Sequence, residues 1–118
     1  MSHSTCIFCQ LIRKEISADI LFEDEEFIAF LDIDPINEGH LLIIPKMHVL
    51  DLDELNEKQL SHLMNITKSL LLNLKKEYTI DGYSIMQNGG YFNDIGHFHL
   101  HLFPRYINDG FGWIFQDK

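Results

Sequence analysis

The spacing of apolar residues changes along the chain, and each change marks an element. In FCQLIRKEIS (8–17), Phe8, Leu11, Ile12 and Ile16 return near one face of a short helix. DILFEDEEFIAFLDI (19–33) reads as two strands meeting at EDEE, a hairpin turn without the favoured glycine. DPINEG (34–39) is loop, punctuated by Pro35 and Gly39. HLLIIP (40–45) is an unbroken apolar, β-branched run that suits a strand buried on both faces. Asn56, with Gln59 three residues on, has the form of a capping box. From there Leu60, Leu63, Met64, Thr67, Leu70, Leu71, Leu74 and Tyr78 recur at three- and four-residue steps, the mark of a long amphipathic helix lying on a sheet. Asp81-Gly82 ends it, YSIMQ (83–87) is another strand, and NGG (88–90) breaks the chain again. Strands early and late around one long helix predict an antiparallel α+β fold and not a parallel doubly wound one. With no repeat, low-complexity tract or linker, residues 1–118 are expected to form a single domain, with 104–118 as its carboxy-terminal tail.

The most unusual pattern is HFHLHLF (97–103). Side chains alternate faces along a strand, so His97, His99 and His101 share one face while Phe98, Leu100 and Leu102 share the other. A helix would scatter the three imidazoles. Same-face neighbours lie about 6.6 Å apart, close enough to bracket one small group. Pro104 is expected to end the strand, because it has no N–H for a ladder. Three readings of this face compete: a polar surface, a three-histidine metal site, and an imidazole nucleophile with a neighbour to protonate the leaving group.

Composition narrows the choice of partners. The chain is 46% hydrophobic and 23% charged, ordinary for a globular domain, and its formal charge of −9 argues against long nucleic acid. A small anionic ligand is still compatible, since main-chain N–H groups and imidazoles bind phosphate locally. No apolar run approaches the roughly 20 residues of a membrane span, and no signal-peptide pattern opens the chain, so a cytoplasmic location and no membrane partner are expected. In a reducing compartment, Cys6 and Cys9 in CIFC read as a metal half-site or redox pair before a structural disulfide.

HFHLHLF resembles the signature of the histidine-triad (HIT) family of nucleotide hydrolases and transferases. LIRKEISADILFEDEEFIAFLDIDP followed by GHLLIIPKMH is similar to the amino-terminal half of that family's phosphoramidase-like branch of nucleotide-binding proteins. The resemblance implies an antiparallel sheet of about five strands with one long and one short helix, usually dimerised. It implies that His99 is the nucleophile on an α-phosphorus, that His101 lies by the leaving group and phosphate, and that His97 helps to position its neighbour. His40 matches a fourth histidine close to these three, and Asp32 an acidic residue that accepts from the ribose hydroxyls, with Ile33 beside it. Phe8, Leu11 and Ile16 match the apolar wall of a nucleoside pocket. Asn88 matches an asparagine that reaches the phosphate, and the turn through Gly89 offers N–H groups to an anion.

The same resemblance completes the cysteine pair. His48 in PKMH and the first triad histidine, His97, would join Cys6 and Cys9 in a closed Cys2His2 zinc site that is structural and has no open position for water. The tail RYINDGFGWIF packs onto its own sheet in one reading; in the other, which the resemblance implies, Trp113 approaches the partner's active site across the dimer. One stretch departs from the family pattern: NGGYFNDIGH is about two residues short, with Asn93 where glutamine is expected and Asp94 where a phosphate-binding hydroxyl is expected. The activity implied is hydrolysis of a nucleoside phosphoramidate or dinucleoside polyphosphate through a nucleotidyl-histidine intermediate, releasing nucleoside monophosphate, with a purine favoured and no catalytic metal. The alternatives are nucleotidyl transfer, and a zinc-ordered nucleotide-binding or partner-binding module with little turnover.

Overall fold

The computed structural model describes residues 5–117, so residues 1–4 and 118 of the expected domain lie outside the described residues. A short helix α1 (Ile7–Ile12) leads into strands β1 (Ile20–Glu23), β2 (Phe27–Leu31) and β3 (Leu41–Pro45). The long helix α2 (Glu57–Glu77) follows, then β4 (Gly82–Met86) and β5 (Leu100–Arg105). The strands form one antiparallel sheet in the order β1-β2-β3-β5-β4, the expected α+β arrangement.

Each junction has a local cause. The β1–β2 turn manages without glycine because Asp24 Oδ1 accepts from the N–H groups of Glu26 and Phe27, both at 2.8 Å. Helix α1 stops at Ile12, short of the expected Ile16. Lys14 adopts φ 64° and the Glu15 N–H returns to the Gln10 carbonyl at 2.9 Å, which turns the chain off the helix axis. Ile16 still packs against the cluster that holds Phe8 and Leu11. The capping box of α2 forms as expected, with Asn56 Oδ1 accepting from the Gln59 N–H at 2.8 Å and Gln59 Oε1 from the Asn56 N–H at 2.9 Å.

The sheet divides the core in two. Leu41 and Ile43 of β3 face α2, where Leu63, Ile66, Leu70 and Leu74 cover them. Leu42 and Ile44 face the opposite side, with Phe8, Leu11 and both cysteines. The α2 stripe runs through Ile66 and leaves Met64 half exposed, because the buried face centres on the line from Leu63 through Thr67 to Leu74. Among the described residues, no helix is long and apolar enough to cross a membrane.

The histidine strand differs from expectation in two ways. Ladder pairing begins only at Leu100, so His97 and His99 lie on a lead-in, held by the Phe98 N–H on the Val49 carbonyl at 2.8 Å. Within β5 itself, His101 sits opposite Leu42 and Met86. Alternation survives even so: Phe98, Leu100 and Leu102 join the α2 layer, while the rings of His97 and His99 stand against Phe8 on the other side. Nor does Pro104 end the strand, which runs on to Arg105 with Pro104 opposite Tyr83. The β3 ladder finishes at Leu102, and beyond it Asn37 Nδ2 donates to the Pro104 carbonyl at 2.8 Å. A strand residue's N–H and C=O point to the same side, so the donor that proline lacks falls where β3 requires none.

Candidate active site

Hydrogen bonds assign the protons on four imidazoles, one after another. A main-chain carbonyl can only accept, so His99 donates from Nδ1 to the His97 carbonyl at 2.9 Å. Its Nε2 therefore carries the lone pair in the neutral ring. A second chain begins at the Ile36 N–H, which donates to His40 Nδ1 at 3.0 Å. The remaining proton of neutral His40 then sits on Nε2, 2.9 Å from His101 Nδ1 and 3.5 Å from Asp32 Oδ2. His101 accepts at Nδ1 and so keeps its N–H on Nε2. Burial, then the neighbouring His99 and His40, pushes the His101 imidazolium down to about 4; burial lowers that of His40 too, against the pull of Asp32. With both rings neutral, the arrangement offers one nucleophilic nitrogen on His99 and one hydrogen-bond donor on His101.

Asp32, His40 and His101 also have a metal-like grouping, with ligand atoms within 4.8 Å of one another. Ligation through His40 Nε2 would move its proton to Nδ1, against the Ile36 N–H. This group is wired for protons, not for a cation.

His99 and His101 line a cavity of about 450 Å³ beneath α1 and the β2 end of the sheet. Phe8, Leu11 and Ile16 form its apolar wall with Phe30 and Leu42, and Asp32, Ile33 and Asn88 also border it, so most of the expected pocket residues converge. Phe8 stands edge-on to both Phe30 and His99, at ring separations of 5.5 and 5.4 Å. Ile33 is 98% exposed, at the rim. Gly89 stands outside this lining, with the Asp51 carboxylate so close that a Cβ there would lie 3.2 Å from Oδ1. Trp113 also stands outside it and is 91% exposed.

The shortened loop is pinned from behind. Gly90 donates its N–H to Asp51 Oδ1 at 2.9 Å, and Asn93 Nδ2 donates to the Leu50 carbonyl at 2.9 Å. Asn93 Oδ1 accepts in turn from the Gly96 N–H at 3.0 Å, so Asn93 serves the loop's own shape. Asp94 instead lies at the solvent-exposed rim, with Oδ1 3.8 Å from His99 Nε2. Phe30, Leu42 and Met86 read as core or strand positions in the sequence, which carries no signal of their place at the cavity. The same holds for the carbonyls of Pro45 and His97 and the N–H of Ile36, since main-chain groups leave no trace in residue identity.

Behind the cavity, Cys6, Cys9, His48 and His97 bring their ligand atoms within 4.8 Å of one another. His97 donates from Nε2 to the Pro45 carbonyl at 2.8 Å, which turns Nδ1 towards Cys6 Sγ at 3.4 Å and Cys9 Sγ at 3.7 Å. His48 Nδ1 lies 3.2 Å from Cys9 Sγ. A tetrahedral zinc with ordinary bond lengths has sulfur–nitrogen edges of about 3.6 Å, so the group fits such an ion. Burial, then the adjacent Cys6, pushes the Cys9 thiol up to about 11, a penalty that a divalent cation between the sulfurs would reverse. The Cys/His group can hold a metal.

A family model for the HIT domain matches residues 13–108. Over 110 residues the chain is 39% identical to a Candida albicans protein named adenosine 5′-monophosphoramidase HNT1, covering 88% of this chain and 72% of that one. The crystal structure of a HIT family protein from Bacillus anthracis matches with a TM-score of 0.88 at 37% identity, over 98% of this chain and 84% of that one. That of a Zn-bound histidine triad family protein from Mycobacterium smegmatis matches with a TM-score of 0.81 at 31% identity, over 89% and 78%.

Proposed function

Since the chain belongs to the HIT domain family, we propose that it hydrolyses a nucleoside phosphoramidate or dinucleoside polyphosphate at the α-phosphorus through a nucleotidyl-His99 intermediate. The observation that carries this reading is the His99 Nδ1–H bond to the His97 carbonyl, which reserves the Nε2 lone pair for the cavity. Relatives that include a named adenosine monophosphoramidase support a nucleotide hydrolase in general terms.

The nucleoside, a purine by preference, lies against Phe8, Leu11 and Ile16, and Asp32 accepts from the ribose hydroxyls beside Ile33. Asn88 and the Nε2–H of His101 hold phosphoryl oxygens as negative charge develops. His40 orients His101. Nε2 of His99 attacks phosphorus, the bond to the leaving group breaks with a phosphoramidate nitrogen taking a proton from solvent as it departs, and water then cleaves the phosphorus–imidazole bond to release nucleoside monophosphate. Zinc in the Cys2His2 group ties α1 to the histidine lead-in and takes no part in the chemistry; the sulfur–nitrogen distances and the Zn-bound relative support it. The protein works in the cytoplasm as a homodimer, each chain one domain.

Rapid quench of the wild type with an adenosine phosphoramidate labelled at phosphorus should trap an acid-labile adduct on His99, with adenosine monophosphate as product. Turnover without any adduct, and undiminished in His99→Ala, would refute the covalent route. Transfer of the nucleotide to added phosphate in place of water would identify a transferase.

A further inference from the structure

We propose that Asp94 is a charge filter at the nucleophile, favouring phosphoramidates whose leaving amine bears a cationic group and rejecting the polyanionic leaving group of a dinucleoside polyphosphate. This inference rests on the hydrolase reading above and deepens it.

The Asp94 carboxylate is 3.8 Å from the nitrogen that attacks. Its side chain is 82% exposed, and among the described residues the one group within ion-pair distance of it is the His99 imidazole. In a near-attack geometry phosphorus lies about 3 to 3.5 Å from Nε2, and the departing atom one bond beyond. A carboxylate free to swing at 3.8 Å from the same nitrogen is within charge-interaction range of both. The rest of the lining reinforces its sign. Asp32, Asp34 and Asp94 border the cavity, and among the described residues no lysine or arginine does. The imidazoles of His40 and His101 do not offset this, because burial holds them neutral. A dinucleoside polyphosphate would bring several negative charges into this field with no fixed cation to meet them. A nucleoside phosphoramidate monoester brings one, and an ammonium on its leaving amine cancels that one.

The step balances with water alone. The His99 Nε2–phosphorus bond forms as the phosphorus–nitrogen bond breaks and the departing nitrogen takes a proton from solvent, so that it leaves as the neutral amine. Water then cleaves the phosphorus–imidazole bond, its hydroxyl ending on phosphorus and its proton returning to solvent. Asp94 neither gives nor takes an electron pair; it sets which amine is tolerated near His99.

The test uses adenosine phosphoramidates of N-butylamine, 1,4-diaminobutane and 4-aminobutyrate, leaving groups of similar reach that are neutral, cationic and anionic, with diadenosine tetraphosphate as a fourth substrate. In the wild type, kcat/KM for the cationic substrate should exceed that for the anionic one by at least about tenfold, and 0.5 M salt should compress the ratio because the carboxylate faces solvent. Asp94→Asn and Asp94→Ser should bring the ratio to within about threefold of unity and raise turnover of the tetraphosphate. A wild-type ratio near one, or a ratio that survives both substitutions and salt, would overturn the filter while leaving the hydrolase intact. A wild type that cleaves none of the four substrates would overturn the hydrolase reading and the filter with it.

Discussion

His99 illustrates how one main-chain bond decides the chemistry of a side chain. Free imidazole divides its proton between two nitrogens, whereas the His97 carbonyl at 2.9 Å assigns it to Nδ1. His99→Ala should therefore lower kcat at least about a thousandfold. Calorimetric affinity for adenosine monophosphate should stay within about threefold, because the apolar wall and Asp32 belong to other elements. Wild-type turnover by this variant would dismiss the nucleophile. His101 has the opposite assignment, and its burial has a consequence for stability. The unfolded chain binds a proton at this imidazole near 6.5, the folded one only near 4. Between those values the unfolded state holds the extra proton, so stability falls as pH drops through that window and is regained above it. Urea midpoints at pH 7 and pH 5 should fall further for the wild type than for His101→Asn. An equal fall in both would mean that His101 contributes nothing to the acid response.

Among the elements, the β1–β2 hairpin and the lead-in to β5 depend on single side chains. Asp24 uses one carboxylate oxygen to shape the turn and the other to meet His62 Nε2 at 2.6 Å, joining the hairpin to α2. Asp24→Ala should cost about 1 to 2 kcal/mol in chemical denaturation, and Asp24→Asn, which keeps an acceptor for the turn, clearly less. Equal losses would show that the turn bonds contribute little. The lead-in hangs on His97, whose ring faces the cysteines and whose carbonyl orients His99. Cys9→Ser or His97→Ala should release about one zinc per chain by elemental analysis and lower Tm by at least about 10 °C. Chelator-free wild type lacking zinc would remove the metal from the account. Here too lies the plainest misreading of the sequence. Alternation showed which face the three histidines share, but not that the ladder starts only at Leu100, since pairing depends on where β3 ends.

For the whole molecule, β4 is an edge of the sheet, with Tyr83 and Ile85 outward and half exposed, and α2 leaves Met64 and Leu72 similarly open. These surfaces support association of two copies. Sedimentation at micromolar concentration should give twice the chain mass, and Ile85→Lys should halve it while secondary structure is kept. A wild-type monomer would discard the homodimer.

Residue order alone determined much of this protein, because local physics reads it directly. Period two placed three imidazoles opposite Phe98, Leu100 and Leu102, the three- and four-residue stripe placed α2 on the sheet, and Asn56 with Gln59 marked its start. The family resemblance also grouped Asp32, Asn88 and the apolar wall, which folding does bring to one cavity, and His40, which lies outside its lining at 2.9 Å from His101. Tertiary structure decided the rest. Pro104 stays in its strand because Asn37 occupies the side where no ladder bond is needed. Gly89 lies against Asp51, while Asp94, which the sequence marks merely as an odd substitution, turns its charge onto His99 Nε2. The proton positions on His40, His97, His99 and His101 follow from an N–H of Ile36 and carbonyls of Pro45 and His97. Every residue but proline has the same main-chain donor and acceptor, so their use is invisible until distant segments meet.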